Sequence, residues 1–245
     1  LQEERSQEVV KQDKRRYIME KDVAFKKKNG NVIRGRMYLP AEGGKRPVVI
    51  FSHGFGSNFR ELMHHGEGFA EAGICCLFFD FCGGGMESAS DGAMTYMTVR
   101  TECEDLETVI AGAKELENVD PDRIFLQGES MGGLVSALTA AKCPEDIAAL
   151  VLWYPAFVIP EDSAKRYAAG INQCFGLALN EHFNEQAMGI DVYGEIGGYG
   201  GPVLIIHGDR DPVVPYACSE RAVSVYPDGE LVRMPGAGHG FDGKD

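Results

Sequence analysis

Three short stretches place a hydroxyl, a carboxylate and an imidazole just after apolar, strand-like runs. They are Gly128-Glu129-Ser130-Met131-Gly132 after Arg123–Gln127, Gly208-Asp209-Arg210-Asp211-Pro212 after Val203–His207, and Gly236-Ala237-Gly238-His239-Gly240 after Leu231–Met234. A serine hydroxyl is a weak nucleophile until a base takes its proton, and the base in turn needs an acid to orient its ring. Ser130, Asp211 and His239 supply these groups in the chain order Ser, Asp, His, which suits three loops at one end of a parallel sheet. Asp209 stands as an alternative acid, because Asp-x-Asp turns often use one carboxylate to cap backbone N–H groups.

The elements around these residues decide whether the pattern has chemical meaning. A strand runs into Gly128 and a small-residue helix, Gly133 to Lys142, runs out, so Ser130 is expected on a sharp strand-turn-helix elbow. Gly128 and Gly132 must lack side chains there, because strand and helix crowd together. The Met131 N–H, at the start of the helix, is free to stabilise a negative oxygen.

Upstream, Tyr17–Lys26 and Val32–Tyr38 flank Asn29-Gly30 and predict an antiparallel hairpin. Val48–Phe51 and Ile74–Phe79 are continuous apolar runs, as in strands buried on both faces, with a helix predicted between them from about Arg60 to Ala72. A helix over Thr101–Leu116, then Asp120-Pro121 closing the connection, then strands at Ile124, Ala149–Trp153, Val203–Ile206 and Leu231–Met234 complete a βαβ rhythm. About fifty residues between Tyr154 and Gly201 have weak periodicity and are too long for a plain connection, so they are assigned to a cap of about 154–201. One domain is expected over 17–245, preceded by a charged, solvated arm at 1–16.

Composition narrows the function classes. A net charge of −13, with no basic run longer than three residues such as Lys26-Lys27-Lys28, argues against a nucleic-acid partner. No apolar run approaches the roughly 20 residues of a membrane span. The 7 cysteines contain no CxxC pair, which points away from a zinc site or disulfide framework and towards a reducing, cytoplasmic compartment, or secretion if a leader has been removed. His64 and His65 lie near Glu61, but adjacent histidines point to different helix faces and no further ligand is spaced for a metal. His207 reads as a core histidine at a strand end, and Glu129 as an ion-pair or capping partner rather than a catalytic acid. The aromatics Phe157, Tyr167, Phe175, Phe183 and Tyr193 read as cap core, with no acyl-pocket residues assigned among them.

On these motifs, together with His53-Gly54-Phe55-Gly56, Gly208 to Pro215 and Gly236 to Phe241, the chain resembles the α/β-hydrolases, and within them the bacterial esterases of the feruloyl/cinnamoyl type. The resemblance spans about residues 17–242. It implies a mostly parallel central sheet flanked by helices, a cap that shapes the acyl pocket, and ester hydrolysis without metal or organic cofactor. It assigns the second oxyanion donor to Phe55, support of that loop to His53, a structural role to Asp209 and catalysis to Asp211. Asp80-Phe81-Cys82-Gly83-Gly84-Gly85 resembles the family's Asp-x-x-Gly-x-Gly loop, with Gly84 where histidine is frequent. The family usually adds a closing helix after the position of His239, so the expectation is either further chain or a sheet edge covered by a partner, a homo-oligomer included. The expected activity is hydrolysis of small or aromatic acyl esters such as hydroxycinnamates. A serine peptidase of the oligopeptidase type and a non-catalytic ligand-binding protein of this fold are the alternatives.

Overall fold

The computed structural model describes residues 18–41 and 43–242. The expected arm at 1–16 lies outside these residues. In chain order the strands are β1 (Ile18–Lys26), β2 (Val32–Pro40), β3 (Arg46–Ser52), β4 (Cys75–Phe79), β5 (Val119–Glu129), β6 (Ala149–Trp153), β7 (Gln173–Cys174), β8 (Leu177–Ala178), β9 (Val203–Gly208) and β10 (Gly229–Met234). The α-helices are α1 (Gly66–Glu71), α2 (Val99–Lys114), α3 (Ser130–Lys142), α4 (Ile159–Ala168), α5 (Phe183–Met188), α6 (Val192–Ile196) and α7 (Tyr216–Val223).

Eight strands form one sheet in the order β1-β2-β4-β3-β5-β6-β9-β10. The first pairings, β1 with β2 and β2 with β4, are antiparallel, and those from β4 to β10 are parallel. The apolar runs are explained by burial on both faces. Val48 and Ile50 of β3 pack with Leu106 of α2 and Leu134 of α3, whereas Val49 and Phe51 pack on the opposite face with Phe59, Leu62 and Phe78. Parallel strands joined by helical crossovers bring their carboxyl ends to one edge, and Ser130, Asp211 and His239 all follow strands that end there.

Several boundaries differ from the sequence reading. The predicted helix from Arg60 to Ala72 is two 3₁₀ turns, Phe59–Glu61 and Met63–His65, leading into the short α1. The tight turn is imposed locally, because the Asn58 side chain accepts from the Arg60 N–H at 3.1 Å and the buried Asp80 carboxylate accepts from the Phe59 N–H at 2.7 Å. β5 begins at Val119, so Asp120-Pro121 lies inside its span, at a register shift against β3 between Arg46 and Val48. The β1–β2 loop closes with Lys27 N–H donating to Asn31 at 2.8 Å, and positive φ (+94°) is taken by Gly30 and not by Asn29. α2 starts at Val99 because Thr98 caps it and shares a reciprocal capping box with Thr101.

Within the expected cap region the chain forms α4, the β7–β8 hairpin, α5 and α6. α6 packs on α3 with Val192 and Ile196 buried, and its Glu195 pairs with Arg100 of α2 at 2.6 Å. No helix among the described residues is long and apolar enough to cross a membrane.

Helix α3 is pressed against the carboxyl ends of β3 and β5. A Cβ at Gly132 would lie 2.3 Å from the Ser52 carbonyl oxygen and 2.4 Å from that of His53. Backbone atoms cannot yield as a flexible side chain can, so Gly132→Ala is expected to cost about 3 kcal/mol of stability in chemical denaturation. An unchanged denaturation midpoint would contradict this packing.

Candidate active site

Ser130 sits where β5 turns into α3, at φ of +50°. Left-handed backbone is costly for a residue with a Cβ, so surrounding contacts must hold it. The Ser130 carbonyl accepts from the Ala156 N–H at 2.8 Å. A Cβ on Gly128 would meet the Gly132 carbonyl oxygen at 2.4 Å, so the second glycine is also demanded by the close approach.

His239 lies in the loop after β10, and its Nε2 is 3.0 Å from Ser130 Oγ. Its Nδ1 is 2.7 Å from Asp211 Oδ2. The Asp211 side chain is fully buried. Its Oδ1 accepts from the Val213 and Val214 N–H groups, both at 2.8 Å, and its Oδ2 also faces His207 Nε2 at 3.2 Å. Burial would raise the Asp211 carboxyl, but the hydrogen bonds from His207, His239 and the two backbone N–H groups outweigh it and hold the group well below the usual carboxylate range. A charged acceptor is thus fixed against the His239 ring.

Asp209, the alternative acid, points elsewhere. Its Oδ1 accepts from the Gly236 N–H at 2.7 Å and its Oδ2 pairs with Arg233, whose Nε lies 2.7 Å away. It ties the end of β9 to the loop that carries His239. Asp211 is the carboxylate placed on His239.

Met131 is buried in the first turn of α3, where backbone N–H groups lack intrahelical acceptors. Phe55 lines the same cavity as Ser130 and Met131. His53 braces the Phe55 loop: its Nδ1 is 2.8 Å from the Gly54 carbonyl, and its Nε2 accepts from the Phe81 N–H at 3.2 Å. Burial lowers the His53 pKa, which keeps the ring neutral and suits one donating and one accepting nitrogen. Gly84 O accepts from the Gly56 N–H at 3.0 Å, so the glycine-rich loop clasps the Phe55 loop from behind. A Cβ at Gly84 would lie 2.7 Å from Phe81 Cβ and 3.1 Å from His53 Cε1, which leaves no room for histidine.

Glu129, read as an ion-pair or capping partner, is instead a hydrogen-bond bridge between the Gly54 N–H, 3.3 Å from Oε1, and the Tyr154 hydroxyl, 2.8 Å from Oε2. Tyr154 is buried at φ of +35° with its ring centroid 4.7 Å from that of His239, and Phe241 packs edge-on to the Tyr154 ring at 4.8 Å. The sequence held no signal for this buttress. His207, read as a satisfied core histidine, is fully buried and satisfied by Ser219 Oγ at 2.7 Å, yet it also touches Asp211. The spacing His207-x-x-x-Asp211 was the available clue.

The His64 and His65 rings lie 3.7 Å apart at a tilt of 45°, and His65 packs edge-on to Trp153 at 4.7 Å. Burial and the neighbouring His64 lower the His65 pKa to about 4. Among the described residues no group of three or more His, Cys, Asp or Glu side chains could hold a metal ion.

A cavity of about 80 Å³ opens beside Ser130, lined by Phe55 and Met131, by Ile159 and Arg166 of α4, and by Phe175 and Phe183. A roomier surface depression of about 840 Å³ between the β1–β2 hairpin and α2 contains none of these residues. Phe175 sits at φ of +49° at the tip of the β7–β8 hairpin, 74% exposed, with its ring 6.4 Å from Phe55. Of the five cap aromatics, Phe175 and Phe183 face the cavity, Phe157 and Tyr193 pack together at 6.3 Å, and Tyr167 is exposed.

The fold and this geometry define an α/β-hydrolase. The chain belongs to the family described as serine aminopeptidase, S33, which matches residues 43–191, and residues 190–245 match a family described as TAP-like protein. The solved structure of Est1E from Butyrivibrio proteoclasticus with ferulic acid bound is similar, with a TM-score of 0.78 and 29% identity over 90% of this chain and 92% of that one. Caffeoylshikimate esterase of Arabidopsis thaliana is 33% identical over 168 residues, 63% of this chain and 47% of that protein. Quorum-quenching protein AidA of Acinetobacter baumannii is 30% identical over 107 residues, 43% of this chain and 34% of that protein. The chain therefore spans less than half the length of these two curated relatives.

Beneath the glycine-rich loop, Glu102 of α2 is 1% exposed and neither carboxyl oxygen has a partner among the described residues. Burial, reinforced by the nearby Asp105, raises its pKa well above the usual carboxylate value. A raised folded-state pKa contributes most to stability below the unfolded value, about 4.3, and that contribution is lost as pH rises. Glu102→Gln is therefore expected to raise the melting temperature relative to wild type at pH 8, with the gap closing towards pH 4. A gap that is absent at pH 8, or that widens on acidification, would contradict the assignment.

Proposed function

We propose that the chain is a serine carboxylesterase that hydrolyses small or aromatic acyl esters, hydroxycinnamoyl esters among them, through an acyl-enzyme on Ser130. The observation that carries this reading is the continuous contact from Ser130 Oγ to His239 at 3.0 Å and from His239 to Asp211 at 2.7 Å.

Ser130 Oγ attacks the ester carbonyl as His239 Nε2 takes its proton. Asp211 holds the ring with Nδ1 protonated and offsets the charge that forms on it. The Met131 and Phe55 N–H groups receive the negative carbonyl oxygen. His239 then delivers its proton to the leaving alcohol, and water activated by the same ring cleaves the Ser130 ester. His207 and Tyr154 act as positioning residues, the first on Asp211 and the second on the His239 ring.

Similarity to Est1E with ferulic acid and to caffeoylshikimate esterase supports ester chemistry. The family description keeps an aminopeptidase as the second reading. An aminopeptidase must grip a substrate ammonium, and the cavity instead carries Arg166 together with Asp162, whose carboxylate is 2.9 Å from Lys165. That charge balance favours the esterase.

Ser130→Ala is expected to abolish hydrolysis of p-nitrophenyl acetate and butyrate, with aminoacyl anilides poor substrates for the wild type. Retained ester turnover in Ser130→Ala would sink the reading. Asp211→Asn is expected to lower kcat by about three to four orders of magnitude, and Asp209→Asn by no more than about tenfold. A reversed order would move the acid to Asp209. His207→Phe is expected to lower kcat with little change in KM, since it acts on Asp211 and not on substrate, and an unchanged kcat would remove its positioning role.

A further inference from the structure

The cavity beside Ser130 is apolar except for Ser130 itself, Asp162 and Arg166. Arg166 is the unusual member. Its Nε donates to Asn184 Oδ1 at 3.0 Å and its Nη2 to Ser163 Oγ at 2.9 Å. Both acceptors are neutral and buried, and Asn184 is itself anchored by a bond from its Nδ2 to the Ile171 carbonyl at 2.9 Å. The guanidinium is therefore held in place by groups that leave its charge uncompensated. Two of its five N–H donors are used in these bonds.

The rest of the chain makes this arrangement informative. With 37 acidic against 24 basic side chains, carboxylates are in excess. Arg34, Arg36, Arg100, Arg123 and Arg233 each close on one, whereas Arg60, Arg166, Arg210 and Arg221 form no ion pair among the described residues, and of these four Arg166 alone lines the cavity beside Ser130. Asp162, the other charged residue of the lining, is one turn away on α4 and is met by Lys165 at 2.9 Å, so Arg166 is the charged lining residue without an ion-pair partner among the described residues. Burial pushes the Cys174 thiol in the cavity wall upward, with Arg166 opposing that push and Asp162 adding to it. Fixing a cation at an apolar pocket with neutral props costs desolvation that an anionic ligand recovers.

We infer that Arg166 is an anion-binding subsite for the acyl half of the substrate, and that the preferred esters are half-esters of dicarboxylic acids, whose free carboxylate pairs with the guanidinium. This deepens, and rests on, the ester-hydrolysis reading of Ser130. In the acylation step Ser130 Oγ bonds to the acyl carbon as the alcohol leaves with the proton carried by His239. Water then breaks the Ser130 ester and gives the dicarboxylate, with no oxidant or other co-reactant. An apolar wall with Phe175 and Phe183 would hold the methylene or aromatic spacer between the two ends.

The test compares monomethyl glutarate with methyl pentanoate, and monomethyl adipate with methyl hexanoate, by titration of released acid. Wild type is expected to favour at least one half-ester over its neutral match by about ten- to hundredfold in kcat/KM, the range for a charge-assisted hydrogen-bonded pair. Arg166→Gln is expected to erase that ratio, and Arg166→Lys to keep part of it. No half-ester preference in wild type, or a ratio unchanged in Arg166→Gln, overturns the inference. Binding is read separately by calorimetry in Ser130→Ala, where the half-esters are expected to bind tighter than the neutral esters and to lose that advantage when Arg166→Gln is added. Equal binding of the pair, or an advantage that survives Arg166→Gln, also overturns it. Turnover that persists in Ser130→Ala would fail the ester reading alone, because the binding comparison still reports on Arg166.

Discussion

The structure depends on one close approach, the first turn of α3 lying directly on the carboxyl ends of β3 and β5. Backbone atoms of Gly132 contact the carbonyl region of Ser52 and His53 with no side chain between them. That contact holds Ser130 at a positive φ and directs its hydroxyl away from the sheet towards His239. It also places Met131 with Phe55 in the wall of the cavity beside Ser130. A chain that filled either glycine with a methyl group would have to lift the helix, and Ser130, Met131, the Phe55 loop and the cavity would separate together.

A second tier of contacts holds the partners of Ser130 to the same edge. Asp211 is gripped by two backbone N–H groups and His207, so its charge is retained in a fully buried position. Asp209 and Arg233 tie the β9 and β10 loops to each other. Glu129 joins the Phe55 loop to Tyr154, and Tyr154 packs on His239. The Phe55 loop and the His239 ring are thereby linked through one carboxylate, that of the residue before Ser130.

Much of this was legible in the sequence because it is local. Strands buried on both faces read as unbroken apolar runs, and β6 was placed residue for residue at Ala149–Trp153. The Ser130 elbow, the Asp-x-Asp turn and the Gly-rich His239 loop each carry their own turn chemistry. What escaped was contact between distant segments. The 3₁₀ turns after Asn58 depend on Asp80, the Tyr154 side chain meets Glu129 and His239 from separate segments, and the contact of His207 with Asp211 needs the β9 loop to fold back on its own strand. Gly84 looked like a departure from pattern and is the residue that Phe81, His53 and Glu102 leave room for. The charge of Arg166 was equally hidden, since its neutral props come from α4 itself and from α5.

The covalent intermediate is the most direct point of test. Rapid acid quench of the reaction with p-nitrophenyl acetate, followed by mass spectrometry of peptides, is expected to find one added acetyl group on the peptide that contains Ser130, and none on the corresponding peptide of Ser130→Ala. An acetyl group on another residue, or full turnover with no adduct at Ser130, would contradict acyl transfer through this serine.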